Sequence, residues 1–151
     1  MKILVIEDIE FKLKKILDLL DNLKKVKNIS YDYAKSYATG LDKAIEIEFD
    51  LIILDMSLPT YEKTTKSTGG RIRMFGGKEI IRQLKRENKL KPFIILSQYK
   101  EFDNSDDIKS LNEVGISLKK SYGDYYISTI LYESSSIIWK TLLEKEIIKY
   151  D

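Results

Sequence analysis

The chain has 151 residues, 43% of them apolar, which is enough for one compact domain and too few for two ordinary ones. Lys and Arg total 26 and Asp and Glu total 24, and the net charge of +2 is too small to direct the protein to nucleic acid or to an anionic membrane. The absence of Cys and His excludes disulfides, thiolate and imidazole metal sites and His-dependent catalytic triads, so any bound metal must have oxygen ligands.

The predicted elements alternate between strands and helices along the chain. Short runs rich in Ile, Val and Leu are typical of strands that are buried on both faces of a parallel sheet. Apolar residues at helical spacing predict amphipathic helices between these strands. In chain order we predict strand 3–6, a helix with its apolar face from Ile9 to Leu23 and Asp8 as its cap, a weaker strand 29–34, a helix near 41–49, strand 51–54, a helix opened by Gly76-Gly77, strand 93–96, a short helix 106–114 closed by Gly115, strand 116–118 and a last helix 123–148.

Five strands that alternate with five helices predict a doubly wound α/β fold, in which a parallel sheet has helices on both faces. Residues 60–75 fit none of these elements, because they are rich in Thr, Lys, Arg and Gly. We expect this segment to be a mobile surface loop, although it could instead be a lid or a docking element for a partner. Gly69-Gly70 could also turn a small hairpin with residues 71–75 as its second arm.

The predicted last helix is strongly apolar over residues 137–148. A lone exposed helix of this kind does not stay bare in water. Two copies that pair about a twofold axis would cover it, so we expect a homodimer formed through this C-terminal helix. The alternative is that the helix bends back over its own sheet. The side chains expected to be buried are Trp139, Leu142, Leu143 and Ile147.

The candidate site residues directly follow the first, third, fourth and fifth predicted strands. The carboxyl ends of parallel strands meet at one edge of the sheet, where ligands of doubly wound folds bind. Three of these residues carry carboxylates, and three carboxylates gathered at one edge repel one another and favour a hard divalent cation. Mg²⁺ suits a site with few protein ligands better than Ca²⁺ does. A carboxylate can also attack phosphorus and form an acyl phosphate. The polar residues are Glu7 and Asp8 after the first strand, Asp55 after the third, Ser97 after the fourth and Lys119-Lys120 after the fifth.

Other phosphate-binding motifs do not fit these positions. A dinucleotide site needs G-x-G-x-x-G after the first strand, where this chain has Glu-Asp-Ile-Glu. A P-loop needs Ser or Thr after its lysine, whereas Gly77-Lys78 is followed by Glu79. An aspartyl-phosphate hydrolase typically has a second Asp two residues after its nucleophile, and Ser57 at that position disfavours this reading.

These motifs together resemble the receiver domains of two-component response regulators. The resemblance spans nearly the whole chain and implies a stand-alone, chemotaxis-regulator-like receiver with the flavodoxin-like strand order 2-1-3-4-5. The matching stretches are ILVIED at 3–8, LIILDMSLP at 51–59, GKEIIRQL at 77–84, FIILS at 93–97 and GISLKK at 115–120.

The resemblance assigns a role to each polar residue at the strand ends. Asp55 is implied to be the phosphoacceptor, Ser97 to contact the phosphoryl group and a lysine to pair with another phosphoryl oxygen. Lys120 is the better match for that lysine because Tyr122 then takes the aromatic position two residues later, and Lys119 is the fallback. The implied Mg²⁺ ligands are Asp8 and Asp55, Glu7 through water, and the backbone carbonyl of Ser57.

The sequence departs from the family pattern at three places. Gly77 lies 22 positions after Asp55 instead of eight, so about fourteen residues are inserted there. Ser117 replaces the aromatic residue that receivers carry three positions before the lysine, and Ser121 replaces the proline after it. These changes affect the expected output mechanism more than the phosphoryl chemistry.

We therefore expect a stand-alone receiver that accepts a phosphoryl group on Asp55 from a sensor histidine kinase or phosphotransfer protein and signals through a downstream protein. We expect it not to be an enzyme apart from its own phosphorylation and dephosphorylation. We expect it to be cytoplasmic, because the apolar run near the N-terminus is shorter than a secretory signal. The alternatives are a pseudo-receiver that binds a partner without phosphorylation and, less favoured, an aspartyl-phosphate hydrolase.

Overall fold

The computed structural model describes residues 1–98, 101–104 and 107–151. Over these residues no helix is long and apolar enough to cross a membrane. The elements in chain order are β1 (Lys2–Ile6), α1 (Glu10–Lys24), β2 (Ser30–Ala34), α2 (Tyr37–Glu46), β3 (Leu51–Leu54), β4 (Leu58–Pro59), β5 (Ile72–Arg73), α3 (Gly76–Arg86), β6 (Phe93–Ser97), β7 (Glu101–Asn104), β8 (Asp107–Ser110), α4 (Leu111–Tyr122), a 3₁₀ turn (Gly123–Tyr125), β9 (Tyr126–Leu131) and α5 (Ile138–Tyr150).

The main sheet of the described chain has five parallel strands in the order β2-β1-β3-β6-β9. This order confirms the doubly wound fold with the flavodoxin-like order 2-1-3-4-5. The three inner strands β1, β3 and β6 are the apolar runs that the sequence predicted. Because each inner strand has neighbours on both sides and helices on both faces, almost all of its residues are buried.

Alternate residues of the inner strands pack into two separate cores. Ile3 and Val5 of β1 lie on the face that α1 and α5 cover. Leu4 and Ile6 lie on the opposite face, which α2, α3 and α4 cover. The two cores hold the carboxyl ends of the central strands in a fixed arrangement, and this arrangement positions the candidate site.

The predicted elements between residues 106 and 118 were wrong. Residues 111–122 form helix α4, where a short helix over 106–114 and a strand over 116–118 were predicted. Ser110 caps this helix by accepting a hydrogen bond from the Glu113 backbone N–H at 3.1 Å. Gly115 lies inside the helix, and Gly123, with a φ of 56°, ends it. Residues 107–110 pair with β7 in a hairpin, while Asp106 lies outside the described residues.

The fifth strand of the sheet and the last helix also lie elsewhere than predicted. The strand is β9, and α5 begins at Ile138 where a helix from residue 123 was expected. Trp139, Leu143 and Ile147 are buried as predicted, but they pack into the chain's own core beside α1. Leu142 is 44% exposed. One side of the helix therefore covers the chain's own sheet, while Ile138, Leu142 and Ile148 stay exposed on the other side. The homodimer stays a prediction.

The inserted segment contains an antiparallel hairpin, so the prediction that it forms no element was wrong. Strands β4 and β5 pair in antiparallel orientation. The ladder of hydrogen bonds continues at Tyr61, whose N–H donates to the Gly69 carbonyl at 2.8 Å. A second arm beyond Gly69-Gly70 was predicted and is confirmed, but the turn lies at the tip, where the Thr64 N–H donates to the Ser67 carbonyl at 2.8 Å. We call residues 58–73 the inserted hairpin.

Candidate functional site

Three carboxylates meet at the carboxyl edge of the sheet. Glu7 and Asp8 directly follow β1, and Asp55 directly follows the adjacent strand β3. One carboxylate oxygen of each residue lies within 4.8 Å of the other two, which is a spacing that suits a metal ion. Glu7 and Asp55 are buried, while the Asp8 side chain is 13% exposed. The structure thus brings together the three acidic residues that the sequence predicted.

Backbone N–H groups orient two of these carboxylates. The Met56 N–H donates to Asp55 Oδ1 at 2.7 Å, and the Ile9 N–H donates to Glu7 Oε1 at 3.0 Å. The predicted cap on α1 is absent, because Ile9 occupies the capping position and makes no side-chain hydrogen bond there. Asp8 is therefore left to face the site.

Lys12 of α1 lies inside the acidic site, and the sequence analysis missed it. Its ammonium group is 2.5 Å from Glu7 Oε2 and 3.1 Å from Asp55 Oδ2, and it donates to the Leu96 carbonyl at 2.7 Å. The side chain is fully buried. A signal was present in the sequence, since Lys12 stands three residues after Ile9 and one before Leu13, on the apolar face of the helix.

Burial and charge change the acid–base behaviour of this pair. Burial raises the pKa of Glu7 to about 7, and Asp55 adds to this effect although Lys12 opposes it. Burial disfavours the charged form of Lys12, but the carboxylates of Asp55 and Glu7 outweigh it and raise the pKa of Lys12. Lys12 is therefore a fixed cation inside the acidic site.

Ser97 and Tyr132 form the next part of this edge. Ser97 is the last residue of β6, and its buried hydroxyl has no hydrogen-bond partner within the described part of the chain. Tyr132 follows β9 directly and donates its backbone N–H to the Ser97 carbonyl at 2.8 Å. The Tyr132 ring lies 5.4 Å from the Lys12 ammonium and 4.9 Å from the Trp139 ring. The position after the fifth strand thus holds an aromatic residue.

Lys120 does not lie at the site, so its predicted role is corrected. It is exposed near the end of α4, and this helix ends where the 3₁₀ turn leads into the first residue of β9. That is the amino edge of the sheet, opposite to Asp55. Lys119 lies there as well and donates to the Gly123 carbonyl at 3.2 Å. The error arose because the fifth strand was predicted too early in the chain. For the same reason the positions assigned to Ser117 and Ser121 relative to that lysine were wrong, since both residues lie in α4.

Comparisons with known proteins agree with this architecture. No protein-family model matches the sequence. The chain is 29% identical over 146 residues to the Detocs response regulatory protein DtcB of Enterobacter cloacae (strain JD6301), covering 88% of this chain and 97% of that protein. It is 28% identical over 141 residues to the DtcB protein of Vibrio alginolyticus, covering 91% and 93%.

Among solved structures, the chain is similar to a response regulator receiver domain protein (CheY-like) from Methanospirillum hungatei JF-1. The TM-score is 0.64 at 20% identity, and the match covers 99% of this chain and 93% of that chain. The chain has the receiver-domain fold. The strand order described above is that of this fold.

In this receiver fold, Gly77 fits tightly against the loop that carries Asp55. The Gly77 N–H donates to the Met56 carbonyl at 2.9 Å. A Cβ atom at Gly77 would lie 2.3 Å from the Asp55 carbonyl oxygen, a distance that no real Cβ contact tolerates. The glycine allows α3 to begin directly against the acidic site.

The inserted hairpin reaches the rim of the site in this receiver fold. Lys63 near its tip lies 3.3 Å from Asp8 Oδ2. At its base, the Ala38 N–H of α2 donates to the Thr60 carbonyl at 3.0 Å. Ser57, the predicted carbonyl ligand, lies between Asp55 and the hairpin and is partly exposed. The insertion is therefore attached to the fold next to the acidic residues.

Proposed function

We propose that the chain is a response regulator receiver and that Asp55 accepts a phosphoryl group from a phosphohistidine. The observation that carries the proposal is the position of Asp55 at the end of β3, in a chain with the receiver fold. One of its carboxylate oxygens lies within 4.8 Å of those of Glu7 and Asp8, and its Oδ2 atom is 3.1 Å from the Lys12 ammonium. The relatives from Enterobacter cloacae and Vibrio alginolyticus, both named response regulatory proteins, support the same function.

The proposed step is a substitution at phosphorus. An Asp55 carboxylate oxygen attacks the phosphorus atom, the P–N bond to the donor imidazole breaks, and the imidazole leaves with the bonding electron pair. The product is an acyl phosphate on Asp55. The donor would be a sensor histidine kinase or a phosphotransfer protein, and a downstream protein would bind the phosphorylated form. The chain would catalyse only its own phosphorylation and dephosphorylation.

Mg²⁺ fits the donor set of this site. Three carboxylates within 4.8 Å of one another provide the hard oxygen ligands that Mg²⁺ prefers. The proposed ligands are Asp8 and Asp55, Glu7 through water, and the Ser57 backbone carbonyl. When bound, Mg²⁺ offsets negative charge on the phosphoryl oxygens. Asp8, which Lys63 contacts, is the most exposed of the three carboxylates.

Phosphorylation by a small donor tests the function. Acetyl phosphate with Mg²⁺ should add one phosphoryl group, and Asp55→Asn should abolish the addition because an amide is a far poorer nucleophile. Asp18→Asn is the matched control, since Asp18 is exposed on α1 and contacts only Lys14 among the ion pairs of the described residues. Intact-mass spectrometry measures the addition. Equal labelling of the wild type and Asp55→Asn would refute the assignment.

One observation favours a second candidate, a pseudo-receiver that binds a partner without phosphorylation. Lys12 already neutralises part of the acidic charge around Asp55, and Tyr132 stands where the resemblance implies a lysine. The same experiment separates the candidates. A pseudo-receiver shows no adduct, whereas a hydrolase consumes acetyl phosphate continuously and releases inorganic phosphate.

A further inference from the structure

We propose that Lys12, on helix α1, binds the phosphoryl group once Asp55 is phosphorylated, and that it replaces a lysine at the end of the fifth strand. This inference rests on the proposed function, because it assigns a partner to the acyl phosphate formed there. The resemblance to receivers implies a strand-end lysine, but the residue that follows β9 is Tyr132. The cation of the site therefore comes from a different element of the fold.

The Lys12 ammonium has three N–H donors and three acceptors around it. These acceptors are Glu7 Oε2, Asp55 Oδ2 and the Leu96 carbonyl oxygen, which belong to the ends of β1, β3 and β6. Two of the contacts hold the ammonium in place without Asp55. The ammonium also lies 3.1 Å from an oxygen of the carboxylate that phosphorylation modifies, so it can contact the phosphoryl oxygens without a rearrangement of α1.

The charge of the site favours this role. Phosphorylation turns a singly charged carboxylate into an acyl phosphate, which carries more negative charge, at a position that is only 2% exposed. Added charge in a buried site needs a cation with its hydrogen bonds already oriented. Lys12 is such a cation, since its cost of desolvation is met when the chain folds. The unpartnered hydroxyl of Ser97, next to Leu96, provides a second donor at the same edge.

The other lysines near the sheet have different positions. Lys63 contacts Asp8, and its side chain is 54% exposed. Lys119 and Lys120 lie at the amino edge, as described above. Lys12 alone among these four contacts Asp55 itself. The residue that follows β9 is Tyr132, whose buried ring lies 5.4 Å from the Lys12 ammonium.

Four proteins test the inference: the wild type, Lys12→Gln, Lys120→Gln, and the double variant Lys12→Gln, Tyr132→Lys. The rate of phosphorylation by acetyl phosphate is followed by intact mass, and Mg²⁺ binding by calorimetry. We expect Lys12→Gln to be phosphorylated at least about tenfold more slowly. Its Mg²⁺ affinity should be equal to or higher than that of the wild type, because a cation that competes for the carboxylates has been removed. Lys120→Gln should match the wild type.

The double variant supplies a lysine from the strand end instead of the helix. Its phosphorylation rate should recover at least in part, which a purely structural role of Lys12 would not produce. Wild-type rates in a folded Lys12→Gln would overturn the inference, as would a slow Lys120→Gln. If the wild type itself gains no phosphoryl group, the proposed function fails and the inference fails with it. If the wild type is phosphorylated and Lys12→Gln is phosphorylated at the same rate, the inference fails while the proposed function is kept.

A measurement on the wild type covers the case in which Lys12→Gln does not fold. In protein labelled with ¹³C at lysine Cε, the Lys12 signal is the one that disappears in Lys12→Arg. This signal should shift when acetyl phosphate and Mg²⁺ are added, and the Lys120 signal should not. A Lys12 signal that stays fixed while the mass shows phosphorylation would overturn the inference.

Discussion

The Glu7 carboxyl group is buried beside Lys12 and Asp55, and burial raises its pKa from 4.5 to about 7. The folded state therefore holds this proton more tightly than the unfolded state does. The stability that protonated Glu7 contributes is complete below pH 4.5 and is lost as the pH rises through about 7. The substituted side chain of Glu7→Gln is neutral at every pH. As the pH rises between these two values, the free energy of unfolding of this variant should therefore increase relative to that of the wild type by on the order of a few kcal/mol. Urea unfolding of the metal-free proteins measures this difference, and a difference independent of pH would contradict the prediction.

Gly77 and Gly76 are adjacent on α3 and give a matched pair of substitutions. The added methyl of Gly77→Ala would meet the Asp55 carbonyl oxygen at 2.3 Å, and this oxygen belongs to backbone that cannot move freely. The methyl of Gly76→Ala would meet side-chain Cβ atoms at 3.2 Å. We expect Gly77→Ala to lower the free energy of unfolding by about 1–3 kcal/mol and Gly76→Ala by clearly less. Thermal unfolding compares the two variants, and equal stability would mean that the Asp55 loop can shift.

The acidic residues of the site could be predicted because they stand at the ends of apolar runs, a pattern that can be read directly from the sequence. Lys12 could not be found in this way, because it lies in the middle of a helix and its role depends on α1 passing over the ends of three strands. Its position on the apolar face was the available signal. A lone charged residue on such a face is usually solvated at the helix margin, so spacing alone does not identify a buried cation.

At the scale of elements, the inserted hairpin differs from the mobile loop that was expected from its composition. The Thr60 and Tyr61 amides donate hydrogen bonds across the hairpin, and the Ala38 amide of α2 donates to the Thr60 carbonyl and attaches the hairpin to the fold. We expect these three amides to exchange with solvent more slowly than the amides of Thr65 and Lys66 at the tip. Amide hydrogen exchange read by NMR tests this order. Uniformly fast exchange from residue 60 to residue 68 would restore the original expectation.

The inner strands β1, β3 and β6 could be predicted because burial on both faces makes them continuous apolar runs. β9 could not, since it is an edge strand whose residues are mostly half-buried and include Ser128 and Thr129. Its pattern was absorbed into the predicted last helix. Residues 116–118 looked like a strand because Ile116 and Leu118 are apolar, but only Leu118 faces the core, four residues after the buried Val114.

At the scale of the whole molecule, α5 tests whether the chain uses its last helix for itself or for a second copy. Leu143 is buried in the core, and its neighbour Leu142 is 44% exposed. Leu143→Ala should lower the free energy of unfolding by about 2–5 kcal/mol, whereas Leu142→Ala should change it by less than about 1 kcal/mol. Light scattering on both variants and the wild type gives the oligomeric state. A large loss of stability in Leu142→Ala, together with a wild-type dimer, would support the homodimer.

The order of the strands also bears on aggregation. The sheet ends at β2 and β9, and both carry polar side chains, including Ser30 and Asp32 in the first and Ser128 in the second. Exposed edges invite a strand from another molecule, and polar or charged residues discourage that addition. The segments LIIL of β3 and FIIL of β6 have the uncharged, β-branched composition of amyloid-forming sequences. Because they lie between polar edge strands, the aggregation-prone segments of the folded protein cannot pair with strands of neighbouring molecules.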